Sequence, residues 1–353
     1  MDADFGIVGG GIAGVSAAAE LSALGSVLLW EGEAHLAHHA SGRSAALYEP
    51  RYGAAPVVEL SLASAAGLRA AGVLSPRGLM LLAGADDARV FAADAAAMRL
   101  ERIAVAEAVA RVPILNPAAV AFAAVADHAE DVDTDRLIQG FARAAKAAGA
   151  RIATGTAVTA IARDGGGWRV TAGGAEARVR VLVNAAGAWA DTVAALAGVT
   201  PLGIVPHRRS MARIPAPGGH DVTGWPMLMG AGEAWYAKPD AGALIVSPAE
   251  EHPMPPHDAF ADDMVLAEGL ARYEAMVTVP VTRVLANWAG LRSFARDRVP
   301  VIGFDAAGPG FFWLAGQGGY GFQTCAAAAR LTADLIAGRA GNARLLLVSL
   351  ESR

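Results

Sequence analysis

Six residues near the start, Gly9-Gly10-Gly11-Ile12-Ala13-Gly14, constrain this chain more than any others. They join an apolar run, Phe5–Val8, to an Ala-rich stretch that reads as a helix. Gly9 permits a tight turn, Gly11 lets the backbone approach a pyrophosphate, and Gly14 lets helix pack closely on strand. The helix start then offers free N–H groups and positive dipole to phosphate. A second apolar run, Val27–Trp30, ends at Glu31, about 20 residues past the glycines, where a carboxylate meets ribose hydroxyls. Strand, turn, helix, strand and acid in this order predict a Rossmann-like unit that binds a dinucleotide.

At 353 residues the chain suits two domains, and 54% hydrophobic residues supply large cores. A net charge of −5, with Lys146 and Lys238 the only lysines, argues against nucleic acid as a partner. Cys325 is the sole cysteine, so no intrachain disulfide or thiolate metal cluster is expected, which fits a reducing cytoplasm. Phe5–Trp30 is long and apolar enough to mimic a membrane span. Glu20 interrupts it, glycines crowd its start, and no basic flank precedes it. A strand–helix–strand unit accounts for all three, so no transmembrane segment is expected. Contact with the inner membrane at its surface stays open.

Further along, Leu60–Ala71 and Asp86–Arg99 read as helices. Asp133 or Thr134 should cap an amphipathic helix, Asp135–Ala148, with Leu137, Phe141 and Ala145 inward. Strands are expected at Arg151–Thr156, Val158–Arg163 and Trp168–Thr171, the last two joined by the Gly165-Gly166-Gly167 turn. Arg178–Asn184 then runs into Asn184-Ala185-Ala186-Gly187-Ala188-Trp189. From Pro201 to Pro256 short apolar runs broken by Pro and Gly suggest an antiparallel sheet. The far end repeats the opening: a buried strand Phe311–Ala315, a glycine turn Gly316–Gly321, and a helix from Thr324 to Ala337. A nicotinamide domain completes its site in one contiguous half. A flavin needs contacts from both ends, which favours FAD.

Several segments together resemble one family. They are Ser41-Gly42-Arg43-Ser44-Ala45-Ala46, the Asn184–Trp189 run, Pro206–Ser210, Trp225–Leu228, Tyr236–Asp240, Trp288–Phe294 and Gly316–Thr324. In this order they are similar to the D-amino-acid oxidase superfamily of FAD enzymes, and within it to the bacterial D-arginine dehydrogenase branch. The resemblance implies a mixed α/β fold: a Rossmann-like FAD domain assembled from 1–70, 131–205 and 293–353, and an interleaved substrate domain, 71–130 and 206–292, on a mixed, largely antiparallel sheet. It implies non-covalent FAD and hydride transfer from the substrate α-carbon to flavin N5. The imine then hydrolyses to a 2-oxo acid and ammonia, with O₂ or a quinone reoxidising the flavin.

The same resemblance implies a flavin cradle of Gly9, Gly11, Ile12, Ala13, Gly14, Glu31, Gly32 and His39, continued by Ser41 to Ala46 (Gly42, Arg43, Ser44 and Ala45 included). Val158, Ala186, Gly187, Trp189, Gly290 and Arg292 follow, then Gly316, Gly318, Gly319, Tyr320, Gly321, Phe322 and Gln323. The substrate would meet Arg209, Arg292, Tyr52, Tyr236 and the Gly319 carbonyl. Arginine suits a carboxylate because its planar fork donates two parallel hydrogen bonds. Arg208 and Arg209 are neighbours on a strand and face opposite ways, so only one reaches the pocket; family alignment selects Arg209. The pocket wall would include Leu47, Glu49, Leu79 and Tyr320. Leu79 stands where D-arginine dehydrogenase has the glutamate that grips its substrate. That departure predicts a preference for apolar or uncharged D-amino acids, with Glu49 as the one acid in the lid.

The cluster His35, His38 and His39 lacks an acid or cysteine at ligand spacing in the sequence, so no metal is expected. No Ser–His–Asp pattern supports hydrolysis. Three other readings remain: a glycine- or sarcosine-type amine oxidase, a 2-hydroxy-acid dehydrogenase, and a non-catalytic flavin module of a complex. The oligomeric state is left unassigned.

Overall fold

A computed structural model describes residues 1–339. The strand β1 (Ala3–Val8), helix α1 (Ile12–Leu21) and strand β2 (Val27–Trp30) form where the opening motif requires them. β1 lies parallel between β2 and the strand Ala175–Asn184. Both faces of these strands are covered, so the apolar runs are continuous rather than alternating. Ile7, Leu29, Val183 and Phe312 are all fully buried.

The strand Ala175–Asn184 forks the sheet. Its first half pairs antiparallel with Gly167–Ala172, and its second half runs parallel to Phe311–Ala315. The distant chain end is thereby inserted beside the first strand. The helix that follows, Gly321–Ile336, packs on α1. It begins three residues earlier than expected, because Thr324 does not cap it: its hydroxyl donates back to the Tyr320 carbonyl at 2.8 Å, inside the first turn. The helix Thr134–Ala147 is capped as expected, with Asp133 accepting from the Arg136 N–H at 2.9 Å.

A second sheet of nine strands faces this unit. Its spine is the antiparallel pair Val205–Pro215 and Ala286–Phe294, in unbroken register from Val205↔Phe294 to Arg213↔Ala286. The first of these strands is longer than the short segments expected, since its partner strand supports it over the whole length. Ala243–Ser247, Tyr236–Asp240 and Met227–Gly230 continue the sheet antiparallel, and Leu79–Ala83 joins it parallel to Met227–Gly230. The expected flavin segment 293–353 runs past the described residues, and 340–353 lies outside them. No described helix is long and apolar enough to cross a membrane.

Candidate active site

At the glycine turn, contacts are made backbone to backbone. Gly9 has φ 108°, and a Cβ on Gly14 would lie 1.9 Å from the Gly9 carbonyl oxygen. Glu31 accepts from the Gly10 N–H at 2.7 Å through one oxygen and from the Glu33 N–H at 2.8 Å through the other. Ser41 Oγ accepts from the Ile12 N–H at 3.0 Å, tying the turn Ala40–Arg43 to the tip of α1. Lys238 clamps the next residues from the second sheet: its ammonium donates to the Ala45 and Ala46 carbonyls and pairs with Asp131 at 2.8 Å. The sequence reading did not assign Lys238; its rarity among the cations was the only signal.

A cleft of about 1410 Å³, partly open to solvent, runs from these helix tips to the second sheet. Gly11, Ile12, Ala13, Ser41 and Arg43 line one end, and Gln317 to Gly319 and Gly321 to Gln323 approach from the far chain end. Ser44, Ala45, Ala46, Gly187 and Gly290 also reach it. Gly9, Gly14 and Glu31 shape the turn from behind. Gly32, His39, Gly42, Val158, Ala186, Trp189 and Gly316 do not line the cleft, and the Trp189 ring instead packs at a tilt against His39, ring centroids 4.6 Å apart.

The other end is built by strand register. Arg209 stands opposite Gly290, and Arg292 lies two residues further on the same face. Gly290 therefore leaves space beside Arg209. Both arginines line the cleft, whereas Arg208 points away to Glu250 and Asp262, each at 3.6 Å.

The two guanidinium groups differ. Arg209 is 2% exposed; it donates to Glu251 at 3.1 Å, and its Nε and Nη1 have no hydrogen-bond partner. Glu233 lies 3.7 Å from its Nη1. Arg292 has no carboxylate at ion-pair distance among the described residues, and lines the cleft together with Tyr52. Burial works against its charge, but Tyr52, Tyr236 and Glu233 outweigh burial and hold its pKa above the ordinary value. It is partly exposed and lines the cleft. The Gly319 backbone lies against the guanidinium: a Cβ there would lie 2.9 Å from Arg292 Nη1 and would push that group aside.

Burial, aided by Glu233, pushes the Tyr52 pKa up, so Tyr52 remains a neutral phenol. The Tyr236 hydroxyl is buried without a partner. Tyr320 stands behind Tyr52 rather than in the cleft lining; the rings are 5.4 Å apart. Leu47, Leu79, Met98, Met211, Met227 and Met229 make the apolar wall.

Two acids also line the cleft. Glu49 is 2% exposed and pairs with His128 at 2.9 Å, while accepting from the Arg51 N–H at 3.0 Å. Glu233 was missed by sequence reasoning. It sits on a tight turn at φ 54°, a left-handed conformation, beside Gly232, whose N–H donates to Asp94 at 2.7 Å. Besides Glu49, expected in the lid, a turn between two strands, invisible to periodicity, thus brings a second acid to the cleft. The histidine reading is corrected. Glu33 lies 2.9 Å from His39, because the loop folds back on itself.

The donors present fit FAD. Glycine-lined helix tips meet the cleft from both chain ends, and Ser293 Oγ and Gln317 Nε2, which also line it, are buried polar atoms without partners. The only cysteine, Cys325, is buried inside the last helix, with burial pushing its thiol up to about 12.

Similarity to known proteins agrees. A glycine oxidase from Geobacillus kaustophilus superposes with a TM-score of 0.84 at 23% identity, covering 99% of this chain and 98% of that one. L-proline dehydrogenase from P. horikoshii superposes at 0.83 with 21% identity, over 99% and 96% of the two chains. FAD-dependent oxidoreductase domain-containing protein 1 of Xenopus laevis is 27% identical over 178 residues, 44% of this chain but only 34% of that longer protein. The family described as "DAO: FAD dependent oxidoreductase" matches residues 4–335, and the chain belongs to it: this is an FAD-dependent oxidoreductase.

Proposed function

We propose that the protein oxidises the carbon–nitrogen bond of D-amino acids with apolar or uncharged side chains, giving 2-oxo acids and ammonia. The observation that carries this reading is the pair Arg209 and Arg292 on one sheet face, with Tyr52 and Tyr236, opposite the glycine tips. Arg292 is partly buried and has no carboxylate at ion-pair distance among the described residues, so it binds the substrate carboxylate through its two-pronged fork. Tyr52 and Tyr236 donate to the same group and shield it from water. Arg209 supplies further donors, with Glu251 holding its other edge. The Gly319 carbonyl accepts from the substrate amine and favours its neutral form. When bound, FAD supplies the hydride acceptor. No side-chain base is required.

The wall of Leu79 and four methionines adapts to bulky apolar side chains and suits them better than glycine. The glycine- and secondary-amine reading is the second one, supported by the likeness in fold to glycine oxidase. Anaerobic mixing of the flavin-loaded protein with a panel of D-, L- and N-methyl amino acids tests both. Bleaching of the oxidised flavin band should be fastest with D-leucine or D-methionine. Fastest bleaching by D-arginine would overturn the side-chain assignment, fastest bleaching by an L-isomer the stereochemistry, and fastest bleaching by sarcosine would favour the second reading. Silence across the panel would leave a flavin module.

A further inference from the structure

Glu33, His38 and His39 converge outside the cleft, on the loop between β2 and the turn Ala40–Arg43. Each offers one ligand atom, and the three lie within 4.8 Å of one another. His39 Nε2 is 2.9 Å from Glu33 Oε1, and His38 Nε2 is 4.0 Å from Glu33 Oε2. A tetrahedral zinc with bonds of about 2.0–2.1 Å separates its ligands by about 3.3 Å, so sub-ångström to ångström shifts close the set.

The surroundings favour it. Glu33 is fixed through its backbone, its N–H donating to Glu31 and its carbonyl accepting from the Gly155 N–H. His39 is braced by the Trp189 ring. Asp258, from a loop of the second unit, reaches the same spot: Oδ1 lies 3.7 Å from His39 Nδ1, the ring nitrogen turned away from Glu33. A carboxylate behind a ligating imidazole is the arrangement that fixes its tautomer and raises its basicity. Arg43 binds Asp258, whose carboxyl it holds below the ordinary range.

We propose that Glu33, His38 and His39 bind one Zn²⁺, with water as the fourth ligand and Asp258 orienting His39. Two imidazoles and a carboxylate, with no thiolate, are a borderline set that suits zinc over calcium or magnesium. The ion pins the segment that ends in Ser41 and Arg43, and so stiffens the flavin cradle and its link to Asp258. Its role is structural and involves no electron transfer.

The test uses flavin-loaded protein dialysed against chelator. Calorimetric titration with Zn²⁺ should give one site per chain, and Co²⁺ should develop the visible bands of a tetrahedral centre. His38→Ala, at a half-exposed side chain, should lower the affinity at least about tenfold, and Asp258→Asn about tenfold, as for partners behind a ligand. Zn²⁺ should raise the melting temperature and slow flavin release in the wild type, not in His38→Ala. Absence of saturable binding overturns the proposal, as does equal affinity in His38→Ala. A folded His38→Ala holoprotein, judged by its flavin content, separates loss of the site from loss of structure. No reading depends on turnover.

Discussion

The two ends of the cleft solve the problem of holding a ligand in different ways. At the glycine end the backbone itself is the binding surface, and the requirement is the absence of side chains. At the sheet end, charged and aromatic side chains from five separate strands and turns converge, and the requirement is their register. A backbone site is specified by consecutive residues; a side-chain site is specified by topology. The first tolerates no added atom, and the second tolerates no removed charge.

The largest effect should come at the glycine end. Gly14→Val places a Cβ where the Gly9 carbonyl oxygen already sits, at 1.9 Å, and neither backbone can yield. We expect complete loss of bound flavin, measured as flavin absorbance per chain. Gly140→Ala is the control, since Gly140 lies outside the cleft and its Cβ would meet nothing within 4 Å. Full flavin occupancy in Gly14→Val would break the distinction between the two ends.

Next comes the charge at the sheet end. Arg292→Met should keep the flavin but lower kcat/KM by at least about 30-fold, since losing one partner of a buried charged contact costs about 2–5 kcal/mol. Arg209→Met should cost less, because Arg298 also pairs with Glu251, at 2.8 Å, and that acid is not left alone. Equal losses in both variants would mean that the two arginines hold the carboxylate as one unit.

What the sequence disclosed follows the same divide. The opening motif, β1, β2 and the strand Phe311–Ala315 were legible because continuous apolar runs bounded by glycine have few alternatives. Arg209 and Arg292 came from resemblance, and only the ladder Val205–Pro215 with Ala286–Phe294 explains why they share a face. Glu233 was not legible: one turn residue carries no periodicity, and its aim depends on a left-handed backbone beside Gly232. The Glu33–His39 contact was missed for a related reason. Ligand-spacing rules assume a regular helix or strand, whereas this loop reverses, with Ala37 at φ 60° and its N–H bonded to the Gly10 carbonyl.

Selectivity sharpens the contrast further. Leu79 is buried in the wall of the sheet end, 2% exposed, with no charge of its own. Leu79→Glu should shift the ratio of kcat/KM for D-arginine over D-leucine upward by about tenfold, the equivalent of about 1.4 kcal/mol. An unchanged ratio would point to Glu233 or Glu49 as the acid that reads the side chain.

The smallest effect lies away from both ends. Tyr273 is fully buried, its hydroxyl has no partner, and burial, with Glu274 adding, pushes its pKa up. The unfolded chain ionises this phenol near 10.0, and the folded chain does not. The unfolded state therefore binds fewer protons above that pH, and stability falls as pH rises, by about 1.4 kcal/mol per pH unit for this group alone. Below pH 10 the term vanishes. Tyr273→Phe removes it without removing any hydrogen bond, so its stability at pH 7 should match the wild type within about 1 kcal/mol. Between pH 10 and 12 the variant should lose melting temperature more slowly than the wild type. Parallel decline of the two would show that the alkaline transition is set by the other buried phenols, Tyr52 foremost, and thus by the sheet end of the cleft.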